Sequence, residues 1–210
     1  MASYVQIANL AGAKIGTEAR VTSPDDDRTF PRAVKAVWDL ERRATIRDGS
    51  WNFATRRFEL AAQVLAGGVP YPWSGSFPLP ADFLRLIEVL NLSSRADYQI
   101  EGKAILTHSA GPLYIRCLVD VPELAEWDDL TAEAFACRLA WKLGKKIAGS
   151  NYSEDMGWRE YQAAIAAAKR VDALENPPIE QEESDWLLAR VGAGSLDGFS
   201  GYNRDPLKWG

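Results

Sequence analysis

The segment that decides the fold runs from residue 128 to residue 175 and reads DDLTAEAFACRLAWKLGKKIAGSNYSEDMGWREYQAAIAAAKRVDALE. Its first half places large apolar side chains four positions apart, at Phe135, Leu139, Leu143 and Ile147. Residues four apart share one face of a helix, so this spacing predicts a helix with a buried apolar stripe. The charged residues beside the stripe are expected to stay in solvent: Arg138, Lys142, Lys145 and Lys146.

Both ends of this helix carry helix-end signals, and a second helix follows. Asp128 is placed to cap the N-terminus, and Gly149-Ser150-Asn151 interrupts the pattern at the other end. Ser153 can cap the second helix. The apolar stripe of that helix comprises Tyr161, Ile165, Ala168 and Val171. Asn176-Pro177-Pro178 should end it, so residues 123–178 are predicted to form a long antiparallel helix pair of the core.

Residues 1–66 are predicted to supply the N-terminal helices of the core. A short helix covers residues 3–15 and ends at Gly16. The run Ser23-Pro24-Asp25-Asp26-Asp27 has the order of cap, proline and acids that is typical of a helix start. Pro31 predicts a kink or a second start in the helix that follows, which should end at Asp48. Its apolar positions are Val34, Val37, Leu40 and Ala44.

Residues 67–122 are predicted to form an extended segment and a β insertion. The prolines and glycines between residues 67 and 80 exclude a regular helix there. The aromatic side chains of this stretch should be buried: Tyr71, Trp73 and Phe77. Further on, Gly102-Lys103 is placed to join two short strands in a hairpin, and Leu113–Val119 has the residues of a strand. The expected fold class is mainly α with a small antiparallel β insertion, an α+β fold with a helical bundle core.

Residues 179–210 are predicted to form a flexible C-terminal arm. The stretch is rich in glycine and begins with the acidic run Glu180-Gln181-Glu182-Glu183, so it cannot bury itself alone. Apolar residues nevertheless recur along it, as expected of anchors for a partner. These residues are Trp186, Leu187, Leu196, Phe199, Tyr202, Leu207 and Trp209. We therefore expect the arm to fold upon a partner.

The composition argues against several classes of protein. A net charge of −5 is not expected of a protein that grips nucleic-acid phosphates. No apolar run approaches the roughly 18 residues that a membrane span needs, and the first residues lack a signal-peptide pattern. We therefore expect cytoplasmic synthesis and no membrane contact. Eight tryptophans are a heavy load for 210 residues, which suggests large contacts with partners.

The sequence nominates no catalytic, metal-binding or cofactor-binding residue. Cys117 and Cys137 are too few for a disulfide framework or a zinc site and are expected to be buried free thiols. His108 is the single histidine, and the phosphate-binding, dinucleotide-binding and zinc-protease motifs are absent. A glycosidase needs only two carboxylates, so that class stays open. The run Trp51 to Arg57 could bind nucleic acid, but its favoured interpretation is a hydrophobic wedge with two solvated arginines.

Several local patterns occur in the order found in one known family. Gly49-Ser50-Trp51-Asn52-Phe53-Ala54 follows the second helix, and Phe77-Pro78-Leu79-Pro80-Ala81-Asp82-Phe83-Leu84-Arg85 precedes the strands. Tyr114-Ile115 leads to Trp127-Asp128 and the alanine-rich helix, which carries Arg138-Leu139-Ala140 and Ile147-Ala148-Gly149-Ser150. With the helix from Tyr161 to Ala173, these patterns resemble the head-to-tail connector (adaptor) proteins of short-tailed bacteriophages, of the tail tubular protein A type. The resemblance covers residues 3 to 190.

This resemblance implies a structural protein of the virion neck without enzymatic activity. Connectors of this type form a ring, here expected to have twelve subunits, beneath the portal protein of the capsid. The ring joins the portal to the tail nozzle proteins and continues the channel through which viral DNA passes, without sequence-specific binding. The helical body makes the ring, and the C-terminal arm docks onto the portal. By position, residues 186–209 of this chain correspond to that arm.

Two alternatives from different classes remain open at the level of sequence. The first is an enzyme, a peptidoglycan glycosidase carried by the virion, which would use a pair of carboxylates. The second is a host-derived helical binding module, which predicts a stable monomer without affinity for a portal protein.

Overall fold

The computed structural model describes residues 2–92 and 94–175, in which two α-helices precede six strands and two α-helices follow them. The helices are α1 (Tyr4–Ile15), α2 (Thr29–Asp48), α3 (Asp129–Ala148) and α4 (Glu154–Glu175). The strands are β1 (Thr55–Leu60), β2 (Gly75–Pro78), β3 (Phe83–Val89), β4 (Tyr98–Glu101), β5 (Ala104–Thr107) and β6 (Leu113–Val119). The mainly helical α+β fold class predicted from the sequence is confirmed.

Helices α3 and α4 pack against each other in opposite directions. The ring centroids of Trp141 on α3 and Trp158 on α4 lie 4.6 Å apart. Arg138, one turn earlier on α3, donates a 2.8 Å hydrogen bond to the hydroxyl of Tyr161, which lies one turn later on α4. Asp128 caps α3 by accepting a hydrogen bond from the Leu130 amide at 2.9 Å, as its position predicted. The predicted antiparallel helix pair is confirmed.

Two glycines allow the helix pair to approach closely around one tyrosine. A Cβ atom at Gly144 of α3 or at Gly157 of α4 would overlap the side chain of Tyr152. At Gly157 it would also come within 3.3 Å of the Trp141 Cα atom. Tyr152 lies in the connection between the two helices, so its ring fills the space that the missing side chains leave.

The strands form two antiparallel sheets of three strands each, where the sequence predicted one small sheet. The first sheet has the order β1-β6-β3, with Phe58 of β1 opposite Ile115 of β6. The second has the order β2-β5-β4, and Gly102-Lys103 forms the predicted hairpin turn between its last two strands. Strand β2 comes from the segment that was expected to be merely extended. Residues 75–78 form a strand because they pair with β5, which lies far away in the sequence, and local β propensity does not predict such a pairing.

Helix α2 lies between α3 and the first sheet, and the core fills the space among them. Trp51, Phe135 and Leu139 are completely buried there. Aromatic rings extend the core, since the Phe135 ring lies 4.8 Å from the Trp38 ring and 5.6 Å from the Trp127 ring. The apolar stripe predicted on α3 is therefore confirmed, although its last member, Ile147, is only partly buried.

The start of α2 differs from the prediction. The helix begins at Thr29, five residues after Pro24. Asp26 instead closes a turn, because its carboxylate accepts hydrogen bonds from the Thr22 amide and from the Arg28 guanidinium. Pro31 lies in the first helical turn, where amide groups have no acceptor within the helix. Its missing amide hydrogen therefore costs no helical hydrogen bond. Leu40 is 66% exposed and does not belong to the buried stripe.

Three further side chains lie in environments that were not predicted. Arg138 was expected in solvent, but only 13% of its side chain is exposed, because it lies among groups from α2 and α4. Val171 is partly exposed, so the buried stripe of α4 ends at Ala168. Tyr71 is exposed instead of buried, whereas Phe77 is completely buried as predicted.

The two cysteines are buried free thiols, as predicted. Burial raises the pKa of Cys117 to about 11, and the nearby Asp82 carboxylate contributes to that rise. Burial also raises the pKa of Cys137. Both thiols therefore stay protonated at neutral pH and act as small apolar groups of the core.

Candidate interaction surfaces

The most exposed apolar segment among residues 2–92 and 94–175 is the loop that connects β1 to β2. Residues 61–74 read AAQVLAGGVPYPWS and contain no charged residue. Val64 and Tyr71 are each 97% exposed, which is the largest exposure of any large apolar side chain in the described part of the chain. We call residues 61–74 the apolar loop. Exposed apolar surface concentrated in one place is typical of a contact site for a protein partner.

The apolar loop has a defined shape because both of its ends are fixed to the second sheet. The Gln63 amide donates a 2.7 Å hydrogen bond to the Ser76 carbonyl, and the Ser74 amide donates a 3.3 Å bond to the Thr107 carbonyl. The Trp73 ring packs on the His108 ring with 5.1 Å between centroids. These contacts hold the base of the loop and leave Val64 and Tyr71 in solvent.

Two internal turns add to this order. The Gly68 amide donates to the Leu65 carbonyl at 3.0 Å, and the Trp73 amide donates to the Pro70 carbonyl at 2.9 Å. Gly68 has a φ of 77°, in the left-handed region that glycine adopts without a steric penalty. Since the backbone is already ordered, a partner would bind the loop with a smaller loss of conformational entropy.

A second cluster of functional groups joins α2, α3 and α4 around Arg138. Its Nε donates a 2.6 Å hydrogen bond to Glu41 Oε2, and its Nη1 lies 2.7 Å from Asp48 Oδ2. The Tyr161 hydroxyl accepts a bond from Arg138 and donates a bond to Asp48. Burial and the bond to Asp48 raise the pKa of Tyr161, although Arg138 opposes the shift, so the phenol stays neutral. We call these four residues the Arg138 cluster.

The contacts of the Arg138 cluster are those of a structural ion-pair network. A glycosidase requires one carboxyl group that is kept protonated and a second that is ionised. Glu41 and Asp48 instead both form ion pairs with the one guanidinium of Arg138. The cluster therefore ties α2, α3 and α4 together. Sequence reasoning missed it, because its members are far apart along the chain.

His108 and the segment from Trp51 to Arg57 also have structural roles in the described part of the chain. His108 is exposed directly after β5 and packs against Trp73 of the apolar loop. Within residues 2–92 and 94–175, no hydrogen bond links it to a nucleophile or a carboxylate. Trp51 is buried, whereas Arg56 and Arg57 are exposed, so the predicted wedge with two solvated arginines is confirmed.

The described residues were also compared with the requirements of metal binding and membrane insertion. No group of three or more His, Cys, Asp or Glu side chains in residues 2–92 and 94–175 is arranged to hold a metal ion. None of the helices in this part of the chain combines the length and the apolar character that a bilayer span requires.

The predicted portal-docking residues lie outside the described residues. They are Trp186, Leu187, Leu196, Phe199, Tyr202, Leu207 and Trp209.

Comparison with known proteins adds no assignment, since no protein-family model matches the chain and no curated protein is significantly similar to it. The apolar loop was not predicted as a site, although the absence of charge over residues 61–74 was a signal that could have found it.

Proposed function

We propose that this chain is a structural head-to-tail connector of a phage virion. In this role it forms a ring under the portal protein, joins the portal to the tail nozzle and continues the DNA channel. The observation that carries the proposal is the apolar loop, which exposes Val64 and Tyr71 almost completely on an ordered backbone. Exposed apolar side chains on an ordered loop are typical of a protein contact site, and a component of a permanent assembly would bury them.

The energetic argument follows from the size of the exposed side chains. Complete burial of one large apolar side chain contributes about 1.5–3 kcal/mol. Val64 and Tyr71 together could therefore supply several kilocalories per mole to one interface, and a ring repeats that contribution in every subunit. The heavy tryptophan content and the ordered loop both agree with extensive protein contacts.

The remaining parts of the proposal rest on the sequence resemblance. Residues 186–209 would dock the portal, the helical body would form the ring, and viral DNA would pass through without sequence-specific contacts. A net charge of −5 supports passage, because an acidic protein does not retain DNA by releasing counterions. The proposed localisation is the neck of the virion, after synthesis in the host cytoplasm. On this proposal the chain has no enzymatic activity.

Binding to the portal protein of the same phage tests this proposal. The full chain should co-sediment with portal particles, and a variant that ends at Glu175 should not, because it lacks the proposed docking residues. A peptidoglycan zymogram of the full chain should remain blank. A chain that does not bind the portal and that hydrolyses peptidoglycan would support the glycosidase alternative instead.

A double substitution tests the contribution of the apolar loop. Val64→Ser with Tyr71→Ser should change the free energy of unfolding by less than about 0.5 kcal/mol, because both side chains are in solvent. The same variant should assemble into virion necks at least about tenfold less efficiently, since one lost apolar contact of about 1.4 kcal/mol corresponds to that factor. Ala62→Ser in the same loop is the matched control. Normal assembly of the double variant would remove the loop from the set of contact sites.

A further inference from the structure

Lysines are concentrated at one end of the α3/α4 pair and carboxylates at the other, although Glu154 and Asp155 also lie at the first end and Lys169 and Arg170 near the second. Three lysines lie toward the end where α3 finishes: Lys142, Lys145 and Lys146. At the opposite end, α3 begins with Asp128 and Asp129, and α4 finishes with Asp172 and Glu175. A helix of 20 residues is about 30 Å long, so the two groups are too far apart to neutralise each other within one molecule.

The basic end also presents an aromatic surface. The Lys142 ammonium group lies 3.8 Å from the centroid of the Trp141 ring, and the Trp141 ring contacts the Trp158 ring. Trp158 is 42% exposed. Within residues 2–92 and 94–175, none of the three lysines has a carboxylate within ion-pair distance, although Glu154 and Asp155 begin α4 at this end. An exposed tryptophan beside cations without a carboxylate partner is typical of a docking surface.

The acidic end has the complementary properties. Burial raises the pKa of Asp172, and the carboxylates of Glu175 and Asp128 raise it further, although the Asn52 amide donates a hydrogen bond to it. The carboxylates are therefore close enough to repel one another. Lys169 and Arg170 precede them on α4, yet within the described residues neither forms an ion pair with these groups. Leu174 is 75% exposed beside them.

We infer that the basic end of one molecule binds the acidic end of a second copy of the same chain, head to tail. The contact would place lysines against carboxylates and bring exposed Trp158 together with exposed Leu174. This inference rests on the proposed ring, because a closed ring requires two different and complementary surfaces on every subunit. The contact assigns those two surfaces to opposite ends of the α3/α4 pair.

Helix dipoles and a nucleic-acid partner each account for only part of this charge pattern. The dipoles of α3 and α4 favour acids at the N-terminus and lysines at the C-terminus, which accounts for Asp129, Lys145 and Lys146. They do not account for Lys142, which precedes the last turn, or for the exposure of Trp158 and Leu174. Nucleic acid would satisfy the lysines alone, and the acidic end and the net charge of −5 would repel it. A second copy of the chain provides carboxylates for the lysines and lysines for the carboxylates.

Charge-reversed variants test the contact directly. The first variant carries Lys142→Glu, Lys145→Glu and Lys146→Glu, and the second carries Asp129→Lys and Glu175→Lys. The first variant places carboxylates against carboxylates, and the second cancels the negative charge of the four acidic residues, because Asp128 and Asp172 remain beside the two new lysines. Each variant alone should therefore self-associate at least about tenfold more weakly than the unchanged chain. An equimolar mixture should recover part of the assembly, because the new glutamates of the first variant then face the new lysines of the second. Asp128 is left unchanged because it caps α3, and Asp172 is left unchanged because it accepts a hydrogen bond from the Asn52 amide.

The readout is the mass in solution by light scattering, with and without portal particles, on samples whose thermal unfolding matches that of the unchanged chain. Arg20→Glu with Arg57→Glu and Arg95→Glu is the matched control for the lysine variant, since it changes the net charge of the chain equally at three exposed positions elsewhere. Normal assembly of either test variant alone, or a mixture that stays monomeric, would overturn the contact and leave the connector role standing. An unchanged chain that neither assembles nor binds portal would overturn both.

Discussion

Replacing Arg138 with Met is expected to lower the free energy of unfolding by about 3–5 kcal/mol. The substitution keeps much of the side-chain volume but removes the positive charge. Glu41, which is buried, would then lie in the helical core without its partner, and Asp48 would lose its shared guanidinium. Leaving a buried charge unpaired costs more than the original ion pair gains, because the desolvation penalty is no longer offset.

Chemical denaturation of the body ending at Glu175 measures this loss, provided that this fragment first unfolds in a single transition. Arg32→Met is the matched control, since Arg32 pairs with Asp27 on the surface and both side chains are mostly exposed. That change should cost less than about 1 kcal/mol. Adding Glu41→Gln to Arg138→Met should restore part of the stability, because the unpaired charge is then absent. A loss of less than about 1 kcal/mol in the free energy of unfolding for Arg138→Met would show that the Arg138 cluster does not stabilise the helical core.

Replacing Trp51 with Ala is expected to cost about 3–5 kcal/mol. The indole is completely buried, and its Nε1 donates a 3.2 Å hydrogen bond to the Thr45 carbonyl near the end of α2. Alanine would leave a cavity beneath α2 and an unmade hydrogen bond in the same place.

Trp158→Ala provides the contrast within the same chain. Trp158 is a tryptophan on the surface, so its removal should cost the isolated body less stability than removal of Trp51. The order of effects should reverse in an assembly assay, where Trp158 contributes to the inferred contact between copies. Equal stability costs for the two substitutions would contradict the assignment of Trp51 to the core and of Trp158 to an interface.

Much of the helical architecture was predictable because its signals are local. The four-residue spacing of Phe135, Leu139 and Leu143 identifies the buried face of α3, and Asp128 marks its start. The turn Gly102-Lys103 likewise identifies the hairpin. Each of these signals depends on residues within a few positions of one another, so one sequence is enough to read them.

The errors arose where a distant contact decided the outcome. Arg138 has the position of a solvated helix residue, but Glu41 and Asp48 from α2 draw it into the interior. Asp26 is a different case with a local cause, because its carboxylate accepts hydrogen bonds from Thr22 and Arg28 in a turn that replaces the expected helix start. Helical periodicity describes one element at a time, and it contains no information about the element that packs against it.

The apolar loop shows the same limit for the candidate site. Tyr71 was predicted to be buried because aromatic side chains usually are, and the uncharged sequence of residues 61–74 fits both a buried extended segment and an exposed contact loop. The structure separates the two cases, since Phe77 enters the second sheet while Tyr71 stays in solvent. The proposed docking residues of the arm remain a prediction from sequence, because they lie outside the described residues.

The oligomeric state of the purified full chain, alone and mixed with portal protein from the same phage, tests the connector role most directly. Light scattering and negative-stain imaging of the same samples report mass and shape together. We predict closed rings, formed by the chain alone or only upon portal particles, with the apolar loop variant deficient in the same assay. A chain that remains monomeric at every concentration and does not bind portal would contradict the connector role.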